Sequence, residues 1–454
     1  MRKRLFGTNG IRGVTNVDLT ADFAVKIGMA IGTFFNGGKI AIGNDARISG
    51  PMLKMAVASG LCATGCHVLD VGLAPTPAVE FLVRYYNCDG GVIITASHNP
   101  PEFNGIKVND EKGVELQREK EIEIEEIFFS EKYKLPKWEN VGKLVERKDW
   151  IDSYVKGMKE LVDVELISKH HYRVVVDAAN SVGVLVTPRL LKELGCKVYT
   201  VNSHIDGSFP GRLPEPTTKN LMELSKVVKA IGADLGVGHD GDADRSIFVD
   251  EKGDVILGDK SFALIAKNYL KKNPNETVTT PISSSTIIED VVKAEGGKLI
   301  WTKVGSINIS RMMVEKKLKL GGEENGGVFY GPHQPVRDGA MSTALILQTM
   351  AEEAKPISEL IAELPEYYNF KDKIHCPEAQ KEEVLKRLLE ECQTPDLQVD
   401  TRDGLKIWFP DRSWILIRPS GTEPIYRLFA ESREKGKPEK IVAEYRKIVE
   451  KILA

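Results

Sequence analysis

Apolar runs and amphipathic segments alternate along the first two thirds of the chain in an order that occurs three times. In the first copy, the apolar run 39–43 predicts a strand, residues 52–64 a helix, and residues 67–71 a second strand. The other copies begin at residues 173 and 277, and a glycine follows each predicted helix, as is typical of a left-handed helix end. Strand, helix and strand in this order predict right-handed βαβ crossovers and mainly parallel sheets.

A further predicted strand follows each copy and ends in a polar loop. The runs 91–94, 232–238 and 318–320 lead into loops that contain, in order, Ser97, Asp240 and Glu323. Open α/β sheets bind ligands at the carboxyl ends of their strands. The pattern therefore predicts three related mixed-sheet α/β domains of the βαβ type, with their loops around one cleft.

The pattern changes in the last part of the chain. Three short apolar runs, at 407–409, 414–418 and 426–430, are separated by turns and flanked by helical patterns. This arrangement predicts a small C-terminal α+β domain with an antiparallel sheet. The expected domains are thus four in number and cover residues 1–150, 151–251, 252–369 and 370–454.

Composition narrows the class of protein. A chain of 454 residues is too long for a single core, and its formal net charge of -3 argues against bulk nucleic-acid binding. No apolar run reaches the length of a membrane span, and the basic start lacks the apolar segment of a signal peptide. We therefore expect a cytoplasmic monomer or homodimer that acts on small molecules, with neither nucleic acid nor membrane as partner.

The six cysteines offer little chemistry. None forms a C-x-x-C pair, although Cys62 and Cys66 are four residues apart, the spacing of one helix face, which a zinc site can use. No further ligand lies nearby in the sequence, so we favour small buried apolar residues as the interpretation.

A serine stands at the end of the first of the three loop-bearing strands. The loop 95–100 reads TASHNP, and Pro100 and Pro101 prevent a helix from following at once. Ser97 is therefore held in a rigid turn with His98 beside it. This position suits a nucleophile or a carrier of a covalent group, so both residues are candidate catalytic residues.

The second loop, DGDADR at 240–245, is the strongest metal signal. Asp240, Asp242 and Asp244 alternate over five residues, and Mg²⁺ prefers such carboxylates together with a substrate phosphate. A calcium EF-hand would need glycine where Arg245 stands, and the next residues predict a strand. An ion-free acidic turn and a nucleophilic aspartate of the haloacid-dehalogenase type remain alternatives.

A phosphate cradle is predicted near the C-terminus, where residues 418–424 read RPSGTEP. Arg418 offers a planar fork of donors, Ser420 and Thr422 offer hydroxyls, and Gly421 lets backbone amides approach an anion. Arg427 on the following strand can add a second fork. The alternative is a polar turn without a ligand.

The third loop, GGEENGG at 321–327, contains Glu323 and Asn325, a carboxylate and an amide that can bind the vicinal hydroxyls of a sugar. A plain loop is the alternative. Lys303 and His333, in the segments 303–306 and 331–338, are weaker candidates for substrate binding.

Two cations complete the candidate set. Arg12 lies in a glycine-rich loop before the first helix, where its guanidinium can meet an anion. Lys107 follows Ser97 by ten residues, and a lysine near both a metal and another cation can have a lowered pKa and accept protons. Either residue can equally be a surface cation.

Together these segments resemble a known family. FGTNGIRG, TASHNP, DGDADR, GEENGG and RPSGTEP occur in the order of the signatures of the α-D-phosphohexomutase superfamily. The resemblance covers nearly the whole chain. It implies the interconversion of hexose 1-phosphate and hexose 6-phosphate through a phosphoserine enzyme and a hexose 1,6-bisphosphate, which also serves as activator.

The resemblance also implies roles for residues of this chain. Ser97 would be phosphorylated, and an oxygen of the phosphoserine would bind one Mg²⁺ together with Asp240, Asp242 and Asp244. Arg245 would lie beside them, with Lys107 as candidate general base. The remaining roles would be sugar recognition by Glu323 and Asn325, and a grip on the non-reacting phosphate by Arg418, Ser420, Gly421 and Thr422.

One departure from the family pattern concerns the third loop. Many bacterial relatives end it in Gly-His, whereas this chain has Gly326 and Gly327, and His333 is the nearest histidine that follows. FGTNGIRG resembles the phosphoglucosamine mutase branch, and GEENGG resembles archaeal phosphomannomutase/phosphoglucomutase sequences. We favour the latter activity and keep phosphoglucosamine mutase as the alternative. Alternatives of another class are a phosphosugar phosphatase and a non-catalytic phosphosugar-binding protein.

Overall fold

The strands of the computed structural model form four separate sheets, each with helices packed against it. The structure describes residues 4–7, 9–392, 397–421 and 423–453. The first sheet has the order β1-β5-β4-β2-β3-β6. Its elements are β1 (Ile11–Val14), α1 (Ala21–Phe34), β2 (Lys39–Asn44), α2 (Gly50–Ala63), β3 (His67–Leu73), α3 (Thr76–Tyr85), β4 (Gly90–Ile94), β5 (Phe103–Asn109), α4 (Arg118–Ser130) and β6 (Leu144–Glu146).

The second and third sheets repeat this plan with fewer strands. The second comprises α5 (Trp150–Lys159), α6 (Val164–Lys169), β7 (Arg173–Asp177), α7 (Thr187–Glu193), β8 (Lys197–Val201), α8 (Met222–Ile231), β9 (Leu235–His239), β10 (Ser246–Val249) and β11 (Val255–Ile256). The third comprises α9 (Gly258–Lys272), β12 (Thr277–Pro281), α10 (Thr286–Ala294), β13 (Lys298–Thr302), α11 (Ser306–Lys316), β14 (Leu320–Gly322), β15 (Val328–Tyr330), β16 (Gln334–Arg337), α12 (Gly339–Glu353) and α13 (Ile357–Ala362).

The fourth sheet is antiparallel throughout, in the order β17-β21-β20-β19-β18. It has its own apolar core, separate from the cluster that runs through the first three domains. Its elements are β17 (Tyr368–His375), α14 (Lys381–Cys392), β18 (Gln398–Asp400), β19 (Leu405–Trp408), β20 (Trp414–Pro419), β21 (Ile425–Ser432) and α15 (Lys437–Leu453).

The threefold repeat predicted from the sequence is confirmed in the strand pairing. β2 pairs parallel with β3 and β4, β7 with β8 and β9, and β12 with β13 and β14. Each of β4, β9 and β14 then pairs with an antiparallel strand that follows it. Gly65, Gly195 and Gly296 have φ angles of 90°, 82° and 72°, so each glycine after a helix is left-handed as expected.

Helix α5 joins the first three domains. The Trp150 indole donates to the carbonyl of Val71 at 3.0 Å, and the buried Tyr154 hydroxyl donates to the Asp338 carboxylate. A buried aromatic side chain whose polar group has a hydrogen-bond partner both fills space and fixes the orientation of the elements it joins. These contacts attach the second domain to both its neighbours.

The fourth domain docks on the start of helix α10. The ammonium of Lys406 lies among three tryptophan rings, 5.0, 4.3 and 3.8 Å from the centroids of Trp301, Trp408 and Trp414. It also donates to the carbonyl of Ile282 at 2.6 Å. We call this arrangement the tryptophan cage.

The structure bears on two questions raised by the sequence, whether Cys62 and Cys66 form a zinc site and whether a helix spans a membrane. Cys62 and Cys66 are free thiols, and the group of three metal-ligating side chains found among the described residues contains only aspartates, so the zinc interpretation has no support. Within the described ranges, no helix is both long and apolar enough to cross a membrane.

Candidate active site

The loops after β4, β9 and β14 meet at the centre of the first three domains. Ser97 Oγ, from the first loop, donates a hydrogen bond to Asp240 Oδ2 in the second at 2.8 Å. Arg337, at the end of β16, bridges Asp244 in the second loop and Glu323 in the third. The equivalent strand ends therefore build one polar centre, as the sequence predicted.

The turn that carries Ser97 is strained and strongly supported. Ser97 is buried and has a left-handed φ of 52°, a conformation that costs energy for a non-glycine residue. Its amide donates to Thr95 Oγ1, and Thr95 Oγ1 donates to Asp45 Oδ2. The buried guanidinium of Arg47 donates to the carbonyls of Ser97 and Asn99 at 2.8 and 2.6 Å. Asp45 and Arg47 thus hold the serine in place.

Asp240, Asp242 and Asp244 form a compact carboxylate cluster. One oxygen of each lies within 4.8 Å of the others, and all three side chains are buried. The Oδ1 atoms of Asp242 and Asp244 receive no hydrogen bond from any described residue. Buried carboxylate oxygens without donors fit a hard divalent cation such as Mg²⁺. The next residues form β10, which leaves no place for the second helix of an EF-hand.

Cations surround this cluster. Lys107 Nζ lies 2.9 Å from Asp242 Oδ2 and 3.6 Å from Asp244 Oδ2, and Arg337 Nη2 lies 2.5 Å from Asp244 Oδ2. Arg245 Nε is more distant, at 3.7 Å from both Asp240 and Asp244. These charges offset the mutual repulsion of three buried carboxylates.

The expectation of a lowered pKa for Lys107 depends on a neighbouring metal ion, and the described residues alone shift that pKa in the opposite direction. Burial disfavours its ammonium, but the attraction of Asp242 and Asp244 outweighs burial, so the pKa of Lys107 is raised. A lysine held charged by two carboxylates is a poor proton acceptor. The geometry instead makes Lys107 a counter-charge to the cluster.

Two of the aspartates, Asp240 and Asp242, have pKa values shifted in opposite directions. Burial, followed by repulsion from Asp244 and Asp242, raises the pKa of Asp240 well above its ordinary value. Burial acts on Asp242 in the same direction, but the charge and hydrogen bond of Lys107 and the hydrogen bond from Thr76 outweigh it and lower the pKa of Asp242. Asp242 is thus the most strongly ionised of this pair.

His98 and Arg12 lie beside the serine, as predicted. His98 Nδ1 is 3.4 Å from Ser97 Oγ, and Arg12 Nη1 donates to Asn99 Oδ1 at 2.6 Å and to the carbonyl of Ala96 at 3.2 Å. The charge of Arg245, burial and the charge of Arg12 lower the pKa of His98 to about 2. The ring is therefore neutral.

The third loop closes on itself next to the aspartates. The Glu323 amide donates to the carbonyl of Gly327 at 2.8 Å, and the Gly327 amide donates to Asn325 Oδ1 at 3.1 Å. Asn325 Nδ2 and Arg337 Nη1 approach Glu323 Oε2 at 3.4 and 3.2 Å. Burial raises the pKa of Glu323 despite the charge of Arg337. Carboxylate and amide thus stand side by side, as sugar binding would require.

His333 and Lys303 differ in their surroundings. The His333 ring stacks on Phe81 at 5.4 Å, and its Nε2 lies 3.3 Å from Asp338 Oδ2, with the side chain only 2% exposed. Its contacts are with packed side chains rather than with Glu323 or Asn325, so they do not support His333 as a replacement for a loop histidine. Lys303 is exposed at the start of the segment 303–306.

The predicted phosphate cradle is a loop of the fourth domain. Arg418 Nη2 lies 3.2 Å from Asp403 Oδ2, and the same oxygen accepts from the amide of Val304 in the third domain at 2.9 Å. Arg427 pairs with Glu423 at 2.5 Å. Ser420 Oγ accepts from the Glu423 amide at 3.2 Å, and Gly421 is exposed, whereas Thr422 lies outside the described residues. The contact at Asp403 ties the cradle to the segment that begins at Lys303.

Known proteins resemble this chain over almost its whole length. Four domain families of the phosphoglucomutase/phosphomannomutase group match in order: α/β/α domain I over residues 3–135, domain II over 152–253, domain III over 257–368 and the C-terminal domain over 350–448. A phosphoglucomutase/phosphomannomutase of Thermococcus kodakarensis is 46% identical over 99% of both chains. The chain belongs to the α-D-phosphohexomutase superfamily.

Two further members show the breadth of the superfamily around this chain. A phosphoglucosamine/phosphogalactosamine mutase of Sulfurisphaera tokodaii is also 46% identical, over 98% of this chain and 99% of its own. The crystal structure of a phosphoglucomutase/phosphomannomutase family protein from Burkholderia thailandensis superposes with a TM-score of 0.89 at 28% identity, covering 99% of this chain and 97% of its own. As a phosphohexomutase, the chain is an enzyme of the isomerase class.

Sequence reasoning missed several residues that shape this phosphohexomutase site. Thr76 Oγ1 donates to Asp242 Oδ2 at 2.6 Å, and Asp45, Arg47 and Arg337 hold the loops described above. Arg337 stood in a weak candidate segment, and Asp45 and Arg47 in a polar loop after a predicted strand, but neither context indicates a contact. Only the strand-end position of the loop at 44–50 was a usable signal.

Proposed function

We propose that this phosphohexomutase interconverts hexose 1-phosphate and hexose 6-phosphate by way of a phosphoserine at Ser97. The observation that carries the proposal is the 2.8 Å hydrogen bond between Ser97 Oγ and the buried carboxylate cluster. A hydroxyl in a strained turn beside a candidate cation site can both accept and donate a phosphoryl group.

We assign the preferred sugars as glucose and mannose phosphates. The Thermococcus relative carries that pair of activities in its name, and the loop 322–327 reads GEENGG. A glucosamine phosphate is the second candidate, because the Sulfurisphaera relative, a phosphoglucosamine/phosphogalactosamine mutase, has the same identity of 46%.

Asp240, Asp242 and Asp244 would hold Mg²⁺, with a phosphoryl oxygen on Ser97 completing the set. A bound Mg²⁺ supplies charge neutralisation for the transferring phosphoryl group. The protein's own part is to keep these oxygens in place. Lys107 and Arg337 do so as ion-pair partners, and Thr76 does so through its hydrogen bond to Asp242.

The transfer balances without any further reactant. A sugar hydroxyl oxygen forms a bond to phosphorus while the bond between phosphorus and Ser97 Oγ breaks, and the hydroxyl proton ends on Ser97 Oγ. His98 Nδ1, 3.4 Å from that oxygen, is placed to hydrogen-bond the serine hydroxyl as it forms. The product is a hexose 1,6-bisphosphate, and the same steps in reverse return its other phosphoryl group to Ser97.

The fourth domain would grip the phosphate that is not reacting. Arg418 and Arg427 supply guanidinium groups for bidentate contacts, and the exposed Gly421 lets an anion approach the backbone near Ser420. Fixing the far end of the substrate aligns the reacting hydroxyl with Ser97. For the second half-reaction, the bisphosphate turns so that the cradle holds its other phosphate.

The test combines mass spectrometry with product analysis. Reacted protein should gain the mass of one phosphoryl group on the peptide that contains Ser97, and Ser97→Ala should lose both this gain and mutase turnover. Ser208→Ala, at an exposed serine, is the control and should keep both. Free phosphate in stoichiometric yield would instead indicate a phosphatase, and binding without turnover a phosphosugar-binding protein.

Substrate preference needs a second measurement. Glucose, mannose and glucosamine phosphates are assayed side by side, with and without added hexose 1,6-bisphosphate. We expect the highest kcat/KM with glucose or mannose phosphate and stimulation by the bisphosphate. Preference for glucosamine phosphate would select the second candidate.

A further inference from the structure

The side chain of Arg337 crosses directly over Gly327, the last residue of the third loop. A Cβ atom added to Gly327 would lie 2.4 Å from Arg337 Cδ and 2.9 Å from Arg337 Cγ. Real Cβ atoms essentially never make contacts this short. Any larger residue at 327 therefore collides with Arg337 where it now lies.

Backbone conformation does not explain the glycine at 327. Its φ lies outside the left-handed region, whereas Gly326 has a φ of 89° and would place a Cβ 2.5 Å from the backbone oxygen of Ser246. Gly326 is thus required by the backbone. At Gly327 the closest obstacle is the side chain of Arg337, so that glycine makes room for the arginine.

The position that Gly327 leaves open lets one guanidinium join two loops. Arg337 Nη2 lies 2.5 Å from Asp244 Oδ2 in the second domain, and Nη1 lies 3.2 Å from Glu323 Oε2 in the third. The arginine side chain is 5% exposed. A planar fork can serve two carboxylates at once, which the single ammonium of a lysine cannot do in the same geometry.

We propose that Arg337 is a positioning residue that fixes the candidate metal ligand Asp244 and the candidate sugar ligand Glu323 relative to each other, and that Gly327 exists to admit it. This deepens the proposed function and rests on it for the roles of the two carboxylates. It also accounts for the missing histidine at the end of the loop, because the arginine occupies that space. Metal retention and sugar preference are then linked through one side chain.

The packing part of the proposal is tested by thermal unfolding and needs no activity. Gly327→Ala should lower the melting temperature in the wild-type background but cause little further loss in Arg337→Ala. Gly326→Ala is the matched control, and its loss should be the same in both backgrounds because its obstacle is backbone. Equal losses for Gly327→Ala in both backgrounds would overturn the proposed fit.

The positioning part is tested by calorimetric Mg²⁺ titration and by kinetics. Residues that orient metal ligands change metal affinity by roughly 10- to 100-fold, so Arg337→Ala should weaken Mg²⁺ binding by this factor. It should also change the ratio of kcat/KM for glucose and mannose phosphates, with a larger effect on KM than on kcat. Arg337→Lys should restore Mg²⁺ binding in part and the sugar ratio less.

A failure of the positioning role can be distinguished from a failure of the proposed function. Unchanged Mg²⁺ affinity together with an unchanged sugar ratio in Arg337→Ala would overturn the positioning role. A wild-type protein that lacks turnover would contradict the proposed function, while the unfolding and calorimetric results would still decide whether Arg337 joins the loops.

Discussion

Replacing Lys406 by methionine should change how the stability of the fourth domain depends on pH. The lysine lies inside the tryptophan cage, and burial, only partly offset by the attraction of Glu431 and Asp400, lowers its pKa from 10.5 to about 7. Methionine keeps the length and apolar stem of the side chain without its charge. The variant thus isolates the titration of one ammonium.

The direction of this pH dependence follows from the number of protons that the folded and unfolded states bind. Between pH 7 and pH 10 the unfolded lysine is protonated and the folded one largely is not, so the unfolded state binds more protons and stability rises with pH. The cost of burying the charge is fully present below pH 7 and declines above it. From pH 6 to pH 9, the wild type should gain roughly 2.5–3 kcal/mol in the free energy of unfolding relative to Lys406→Met.

Tryptophan fluorescence is a suitable assay, because three of the five tryptophans form the cage. Urea unfolding at pH 6, 7, 8 and 9 gives the two stability curves, and only their difference is interpreted because buried thiols and phenols titrate in both proteins. Lys435→Met, at an exposed lysine of the same domain, is the control and should track the wild type. Parallel curves for wild type and Lys406→Met would refute the reasoning.

Three further predictions concern the candidate site and its support. Asp242→Asn should raise the Mg²⁺ concentration for half-maximal activity more than roughly tenfold, and an unchanged titration would contradict the metal assignment. Arg418→Ala should lower kcat/KM by roughly 10- to 100-fold through the loss of a phosphate contact of about 1.5–3 kcal/mol; unaltered kinetics would argue against the cradle. Tyr154→Phe should lower the free energy of unfolding by about 1–3 kcal/mol, since the buried Asp338 loses a donor, and calorimetry that shows no loss would remove Tyr154 from the interdomain support.

Local patterns were enough to predict much of this architecture. The three strand-helix-strand units, their glycine ends and the antiparallel last sheet follow from hydrophobic period and turn residues, which act over short distances along the chain. Ser97 and the three aspartates could be predicted because each motif is contiguous and ends a strand. The domain boundaries stay predictions, because no contact in the structure identifies the residue at which one domain ends and the next begins.

The remaining features depend on residues that only folding brings together. Thr76 is 166 residues from Asp242, and Arg337 is 93 residues from Asp244, so neither contact has a local signature. The raised pKa of Lys107 has the same origin, because the direction of the shift depends on which charges the fold places around the amine. His333 illustrates the opposite case, in which nearness along the chain to the third loop did not bring contact with its polar residues.

The shared placement of the three loops has a consequence for how such enzymes diversify. Each loop follows an equivalent strand of its own sheet. Substitutions in one loop therefore leave the strand pairing of the other two sheets intact. Substitutions within the third loop can therefore leave the turn around Ser97 unchanged, whereas a change at Arg337 would reach both Glu323 and Asp244. Variants bred in the laboratory for a new hexose should accumulate their substitutions in the third loop and at the residues that brace it.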